Sequence, residues 1–215
     1  MNMNIWPVGN LLIEVPGDSQ DAAGIYDEVI VRDCYRLRSI LTPPAVVLDL
    51  GAFYGAFSVF AAAMWPDARI VAVEGNPHRV DQLQANVARN GLSSRVAVCP
   101  TAVVGTARAS GPPEHLAEIA AWMRDKTTTD VLALIERFGV PDLLKIDIEG
   151  WELGVLERLH QAGLLARIPV ITGEWHFREA HEWIMEYVPR THELTIEHNV
   201  PGWTWEHFFA VRRAA

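Results

Sequence analysis

The chain has 215 residues, half of them hydrophobic and 21% charged, with a formal net charge of −9 at pH 7. That length holds one sizeable domain with a substantial core rather than two, and the composition is that of an ordered globular chain. The acidic balance disfavours a broad nucleic-acid surface, which needs clustered Lys and Arg, and no apolar run reaches membrane-spanning length. The N-terminal MNMNIWPVGN lacks a basic region followed by a long apolar stretch, so no signal peptide is expected. Cys34 and Cys99 suggest neither a disulfide framework nor a metal pair, which fits a reducing cytoplasm.

Residues 1–44 read as an N-terminal extension, a packing layer in preference to a lid, and 45–215 as the core of a single domain. LLIEV before Pro16 and Gly17 is a short strand, while VIVRDCYRLRSIL mixes an extended apolar start with helical spacing at Leu37, Ile40 and Leu41. From Val46 onward strands and helices alternate regularly, which implies a mostly parallel sheet. VVLDL leads into a helix near GAFSVFAAAMW, and RIVAVE forms the second strand. Asn76 can cap the next helix with Pro77 in its first position; Val80, Leu83 and Val87 give it an inward stripe and Gly91 ends it.

RVAVC is a third strand. A weakly patterned stretch follows, with a loop at Gly111, Pro112 and Pro113 and a short amphipathic helix in HLAEIAAWM. VLALIERFG is a helix, DLLKIDI the fourth strand, WELGVLERLHQAGLL a helix carrying Trp151, Val155 and Leu159 on one face, and IPVITGEW the fifth strand. After the helix EAHEWIMEYV, the runs THELTIEH and WTWEHFFAVRR alternate as strands around Asn199, Pro201 and Gly202, which predicts a terminal antiparallel hairpin. The expected architecture is an α/β Rossmann-like fold: a mostly parallel seven-stranded sheet, helices on both faces, and that hairpin at its end.

The turn between the first strand and its helix marks a ligand site. Its order, D-x-G-x-x-x-G from Asp49 to Gly55, differs from the three-glycine G-x-G-x-x-G that admits a pyrophosphate. An acid before the turn repels a pyrophosphate and suits a ligand with a cationic amino-acid end, as S-adenosylmethionine has. Glu74, ending the second strand, can accept hydrogen bonds from both hydroxyls of a ribose. A nicotinamide-dependent oxidoreductase is disfavoured on the same ground.

VVLDLGAFYGAFS, AVEGNPHRVDQLQANVARNG, DLLKIDIEGWELGVL and VIVRDCYRL together resemble the FkbM-type methyltransferases, over about residues 28 to 177. The first motif is shared by many methyltransferases; LLKIDIEG followed by an acidic residue is more specific. The resemblance implies the methyltransferase fold, S-adenosyl-L-methionine as cofactor, and O-methylation of a small molecule such as a sugar or polyketide of specialised metabolism. It implies donor contacts from Asp49, Gly51, Ala52, Phe53, Tyr54, Gly55 and Ser58 in the first loop, from Glu74, Gly75 and Asn76 after the second strand, and from Ala102 and Asp147. Two departures stand out: Gly75 where proline is usual, and Trp151 where a small residue is usual, which bears on the shape of the adjacent pocket.

Strand alternation sets Lys145, Asp147 and Glu149 on one side of the fourth strand, and Thr172, Glu174 and His176 share a parity in the fifth. Charges in a sheet covered on both faces gather where its carboxyl end opens. His176 is the candidate general base, since an ordinary imidazole pKa of about 6.5 lies close to operating pH. Glu149 and Glu174 would orient it or bind acceptor hydroxyls, and Lys145 would hold Asp147 or Glu149 ionised. A divalent metal on Asp147, Glu174 and His176 is the less favoured alternative, because the spacing is not a metal signature. His181, His192, His198 and His207 are expected at the surface or hairpin, with one available to the acceptor site, and Trp183, Trp203 and Trp205 as packing residues. The rivals are an N-methyltransferase and a non-catalytic cofactor-binding or partner module; a homo-oligomer stays open.

Overall fold

The computed structural model of the chain describes residues 3–17, 24–106, 113–197 and 206–214. The apolar run Val46–Leu50 (β3) is the centre of a seven-stranded sheet. It is followed by Ala56–Met64 (α1), Arg69–Glu74 (β4), Pro77–Arg89 (α2) and Val96–Pro100 (β5). Val131–Phe138 (α4), Leu143–Ile146 (β8), Glu152–Gln161 (α5), Val170–Trp175 (β9) and Arg178–Tyr187 (α6) build the other half. His192–Glu197 (β10) and Glu206–Arg212 (β11) complete it.

The strand order is β10-β11-β9-β8-β3-β4-β5. The five strands from β9 to β5 are parallel, and β11 runs antiparallel between β9 and β10, as the terminal hairpin requires. The residues expected to turn that hairpin, Asn199, Pro201 and Gly202, lie outside the described residues, as do His198, Trp203 and Trp205 and the loop positions Gly111 and Pro112. No described helix is long and apolar enough to cross a membrane.

Each sheet face carries its own core. Phe57, Val59 and Phe60 of α1 and Leu83 and Val87 of α2 cover one face, and Leu153, Leu156 and Leu159 of α5 with Ile184 of α6 cover the other. The capping chemistry works as read: the Asn76 side chain accepts from His78 N at 3.1 Å with Pro77 at the first position. α1 is apolar all round because it lies between the sheet and the N-terminal layer, and Ala56 through Ala62 are all buried.

That layer begins with a hairpin of Met3–Val8 (β1) and Leu11–Pro16 (β2), of which only the second strand had a readable pattern. Its exposed edge is tied to α2: Leu12 N donates to Asn90 Oδ1 (2.8 Å) and Glu14 N to Asn86 Oδ1 (2.9 Å). The β-branched run after it is not extended. Asp27–Val31 forms a π-helical turn that buries Val29 and Ile30, so packing overrides the strand preference of the sequence. The weakly patterned insertion contains two short parallel strands, Ala102–Val104 (β6) and Thr128–Asp130 (β7), on either side of the helix Pro113–Met123 (α3).

Candidate active site

A cavity of about 680 Å³ opens at the carboxyl ends of β3, β4, β8 and β9, within the size range of small-molecule sites. One side of it is the loop between β3 and α1. Gly51 N and Ala52 N both donate to the Val73 carbonyl of β4, at 3.0 and 2.9 Å. Gly51 has φ +81°, and a Cβ there would stand 1.8 Å from the Asp147 carbonyl oxygen, so the loop and the end of β8 approach too closely for any other residue. Phe53 takes a positive φ of 52°, and its N–H donates to Glu74 Oε2 at 2.9 Å.

Glu74 thus arrives pre-oriented. Asn76 N donates to its other oxygen at 2.7 Å, and the carboxylate, 6% exposed, lines the cavity with acceptor capacity left for a pair of hydroxyls. Gly51, Ala52, Phe53, Gly75, Asn76, Ala102 and Asp147 also line it. At Gly75 a Cβ would meet Ala102 Cβ at 2.9 Å and the Trp122 ring at 3.0 Å, so glycine in place of proline is matched to the insertion helix packed over it.

Four of the expected residues do not line the cavity. Asp49 is fully buried behind the loop, where Ser58 Oγ donates to its Oδ2 (2.7 Å) and Lys145 Nζ stands 3.3 Å from its Oδ1. The carboxylate therefore organises the loop and does not meet a ligand's cationic end, a correction that covers Ser58 as well. Half-buried Tyr54 and buried Gly55 belong to the same scaffold; the Tyr54 carbonyl accepts from Asn86 Nδ2 at 2.8 Å.

Lys145 reaches the cavity wall but is already committed. Its ammonium donates to the Gly51 carbonyl (2.6 Å) and the Leu50 carbonyl (3.2 Å) and pairs with Asp147 at 3.6 Å. Burial disfavours its charge, but Asp49 and Asp147 outweigh that and hold it above the ordinary lysine value. The group is an internal cation that clamps the glycine loop to β8.

Beyond the loop the expected constellation assembles. His176 Nε2 lies 3.4 Å from Glu149 Oε2 and 3.8 Å from Asp147 Oδ1, while Nδ1 bonds Glu152 Oε1 at 3.0 Å. Glu149 is carried by a left-handed turn (φ 57°) rather than by the strand, which ends at Ile146. Glu174 lines the same end of the cavity at 9% exposure, whereas Thr172 is sealed in the core, donating to the Tyr35 and Phe208 carbonyls.

The near-neutral imidazole expected of a general base is corrected. Burial works against a charged ring, but the Glu152 hydrogen bond and charge, with Asp147 and Glu149, push His176 up to about 10. The ring is an imidazolium at neutral pH and has no lone pair to take a proton. Asp147 is raised by burial, yet Lys145, His176 and the Tyr35 hydroxyl outweigh burial and hold it below the usual carboxylate range. Burial, and then the Asp147 charge, push Glu174 up to about 9.

Of four further members of this group, Glu152, Tyr35 and Glu28 were not read from the sequence, and His207 was named there only among the histidines of which one was available to the acceptor site. Glu152 is fully buried and accepts from Ile148 N and Gly150 N, fixing the turn beneath His176. Tyr35 donates its hydroxyl to Asp147 Oδ2 at 2.8 Å, and Glu28 lines the cavity from the π-helical turn. His207 faces Glu174 in the β11–β9 register and is 1% exposed, and burial holds it down to about 4. His192 is fully buried too; both histidines stand on the strands of the terminal hairpin, one of the two expected positions, and neither is at the surface. Only Glu152 left a signal, as a further acid two residues after the D-x-E-G turn. Trp151 also faces the cavity, and its indole N–H is buried without a hydrogen-bond partner among the described residues, a donor available to a bound ligand. Trp183 stacks on Tyr187 at 4.8 Å and does not line the cavity.

The N-terminal segment is therefore both packing layer and wall, since Ile25, Glu28, Val29 and Tyr35 close one side of the cavity. The loop free of side chains at Gly51, the doubly anchored Glu74 carboxylate and the cavity volume fit a nucleoside bearing an amino-acid chain.

Comparison with known proteins agrees. Residues 49–199 match the model of the Methyltransferase FkbM domain. Methyltransferase sdnD of Sordaria araneosa is 30% identical over 178 residues, covering 64% of this chain and 68% of that protein. The 31-O-demethyl-FK506 methyltransferase FkbM of Streptomyces tacrolimicus is 34% identical over 80 residues, 37% of this chain and 31% of that one. The crystal structure of Methyltransferase FkbM from Methylobacillus flagellatus KT superposes with a TM-score of 0.56 at 18% identity, over 81% of this chain and 46% of the other, a likeness of fold.

Proposed function

The chain belongs to the FkbM methyltransferase domain family, whose members use S-adenosylmethionine, and from that premise we propose that it methylates a hydroxyl oxygen of a small-molecule metabolite. One observation carries the choice of oxygen: the cavity beyond the glycine loop ends in Asp147, Glu149, Glu174 and His176, of which the Asp147 and Glu149 carboxylates can accept a hydroxyl's hydrogen bond and its proton. The name of the Streptomyces relative, which specifies a 31-O-demethyl substrate, supports the same acceptor chemistry.

S-adenosylmethionine, when bound, supplies a methyl group activated by its sulfonium. The protein's part is alignment, which in such displacements can supply much of the barrier reduction. Glu74 would hold the ribose hydroxyls, the Gly51–Phe53 backbone would admit the amino-acid chain, and Gly75, Ala102 and Trp122 would bound the base. Lys145 keeps the loop rigid from below. The acceptor hydroxyl donates its hydrogen bond to the carboxylates of Asp147 and Glu149, with the charged His176 ring holding both in position.

The test is transfer of labelled methyl to a panel of hydroxyl-bearing metabolites and their amine counterparts, with the product bond assigned by NMR. An O-methyl product is expected. Methylation confined to the amines would replace this reading by the nitrogen one, and tight S-adenosylhomocysteine binding with no turnover on any acceptor would favour the binding-module alternative.

A further inference from the structure

The acceptor end of the cavity contains a carboxylate with nothing to neutralise it by hydrogen bonding. Glu174 is nine-tenths buried and lines the cavity, yet no hydrogen-bond donor reaches its oxygens among the described residues; the nearest paired group is His207 Nε2, at 3.7 Å. A buried carboxyl group without a hydrogen-bond partner is costly unless something binds it.

The groups around it are arranged as ligands. One atom each of Asp147, Glu174 and His176 lie within 4.8 Å of one another, at the carboxyl ends of the adjacent strands β8 and β9. Two carboxyl groups and an imidazole at that separation offer three ligand atoms to a single cation. Lys145 pairs with Asp147 Oδ2 at 3.6 Å and with Asp49, and donates to two carbonyls, but among the described residues it forms no ion pair with Glu174.

What surrounds the three residues orients them. His176 turns Nδ1 to Glu152, a fully buried carboxylate fixed by two backbone N–H groups, and so presents Nε2 toward the cavity. Tyr35 donates to Asp147 Oδ2 and leaves Oδ1 on the His176 side. A carboxylate behind the imidazole and a hydroxyl behind the ligating carboxylate are the outer-shell partners that set ligand direction in metal centres.

We propose that Asp147, Glu174 and His176 bind one divalent cation, with its remaining positions open to the cavity for water and the acceptor. Two oxygens and one imidazole suit Mn²⁺ or Mg²⁺ when most remaining ligands are water. Binding displaces the proton of the His176 ring, the usual exchange when an imidazole becomes a ligand. On the O-methyltransferase reading, on which this role rests, the cation takes the acceptor hydroxyl as a ligand and lowers its pKa. The oxygen–hydrogen bond then breaks before or as the carbon–oxygen bond forms and the sulfonium carbon–sulfur bond breaks, with the proton leaving to a neighbouring carboxylate or water and the sulfur keeping the electron pair as S-adenosylhomocysteine.

The experiment uses the full chain freed of metal by chelator and dialysed, titrated with MnCl₂ while the EPR signal of free Mn²⁺ is followed. Loss of signal to one equivalent is expected, reversed by excess Mg²⁺ if the two share the site. Glu174→Gln, which keeps shape, should weaken Mn²⁺ binding at least ~10-fold, and Glu152→Gln, acting through His176, by roughly 10- to 100-fold. S-adenosylhomocysteine binding by calorimetry, run on each protein without metal, reports folding and the donor site separately. An unchanged Mn²⁺ signal with wild-type protein would overturn the proposal, as would equal binding by a folded Glu174→Gln variant. Failure of S-adenosylhomocysteine to bind wild-type protein would overturn the donor reading and leave the cation result standing.

Discussion

Replacing Lys145 by methionine tests how the donor loop is held. The ammonium stands 3.3 Å from Asp49 Oδ1 in a region where the two side chains are 3% and 0% exposed. At an effective dielectric of about 20, opposite charges at that distance attract by roughly 5 kcal/mol. Removing one partner strands Asp49 with only the Ser58 hydroxyl as donor and leaves the Gly51 and Leu50 carbonyls without their shared cation. The expected loss is on the order of 3–5 kcal/mol, the range for a broken buried pair. With a urea m-value of about 2 kcal/mol/M, the unfolding midpoint falls by roughly 2 M. Lys145→Met/Asp49→Asn removes both charges and should recover at least half of the loss. A single-variant midpoint within about 0.3 M of wild type would refute the internal clamp, and so would a double variant no better than the single one.

Glu74→Gln must set an amide N–H₂ against one of the two backbone donors, Phe53 N or Asn76 N. S-adenosylhomocysteine affinity, measured calorimetrically, should fall by on the order of 10- to 100-fold, and an unchanged Kd would detach Glu74 from the donor. Gly51→Ala puts a Cβ against the Asp147 carbonyl at φ +81° and should cost at least ~2 kcal/mol; a folded variant with the wild-type Tm would contradict the close approach of the loop to β8. The fully buried His192 gives a pH test away from the site. Its Nε2–H bonds the Ile168 carbonyl at 2.9 Å, and burial lowers its pKa. Below about pH 6.5 the unfolded chain takes up a proton that the folded ring resists, so stability present above that pH is lost as the pH falls toward the folded value. His192→Gln should flatten the Tm profile between neutral and mildly acidic pH; an unchanged slope would show that the ring titrates normally in the fold.

The element order was legible because two periods alternate along the chain, and the buried parallel strands are near-continuous apolar runs such as VVLDL and IPVITGEW. The hairpin that ends the sheet was legible for the same reason. The N-terminal layer was less so: MNIWPV has no clean alternation, and the β-branched Val29-Ile30-Val31 run reads as strand but is held as a π-helical turn by what it packs against. Parity also brought Asp147, Glu174 and His176 to one place. Parity could not tell that the strand ends at Ile146 and that Glu149 swings back on a left-handed turn.

Charge states depended on contacts distant in sequence. Asp49 looked like a ligand for a cation, and it is one, but its cation is Lys145 of the same chain, 96 positions away and adjacent across the β3–β8 register. His176 looked near-neutral because isolated imidazoles are, and became cationic because Glu152, Asp147 and Glu149 surround it. His207 and His192 were expected at the surface or in the hairpin; both stand on hairpin strands and are buried, His207 because β11 inserts between β9 and β10.

The amino-acid sequence by itself determined the alternation of elements, the glycine loop, the acid that ends β4 and the D-x-E-G turn, since each rests on spacing within a few residues. Only the tertiary structure decided which acids face the cavity, which cation neutralises which carboxylate, and that Tyr35, Glu28, Glu152 and His207 join the acceptor end. Those outcomes depend on burial and on distances of a few ångströms between strands far apart in the chain, and local pattern carries no record of either.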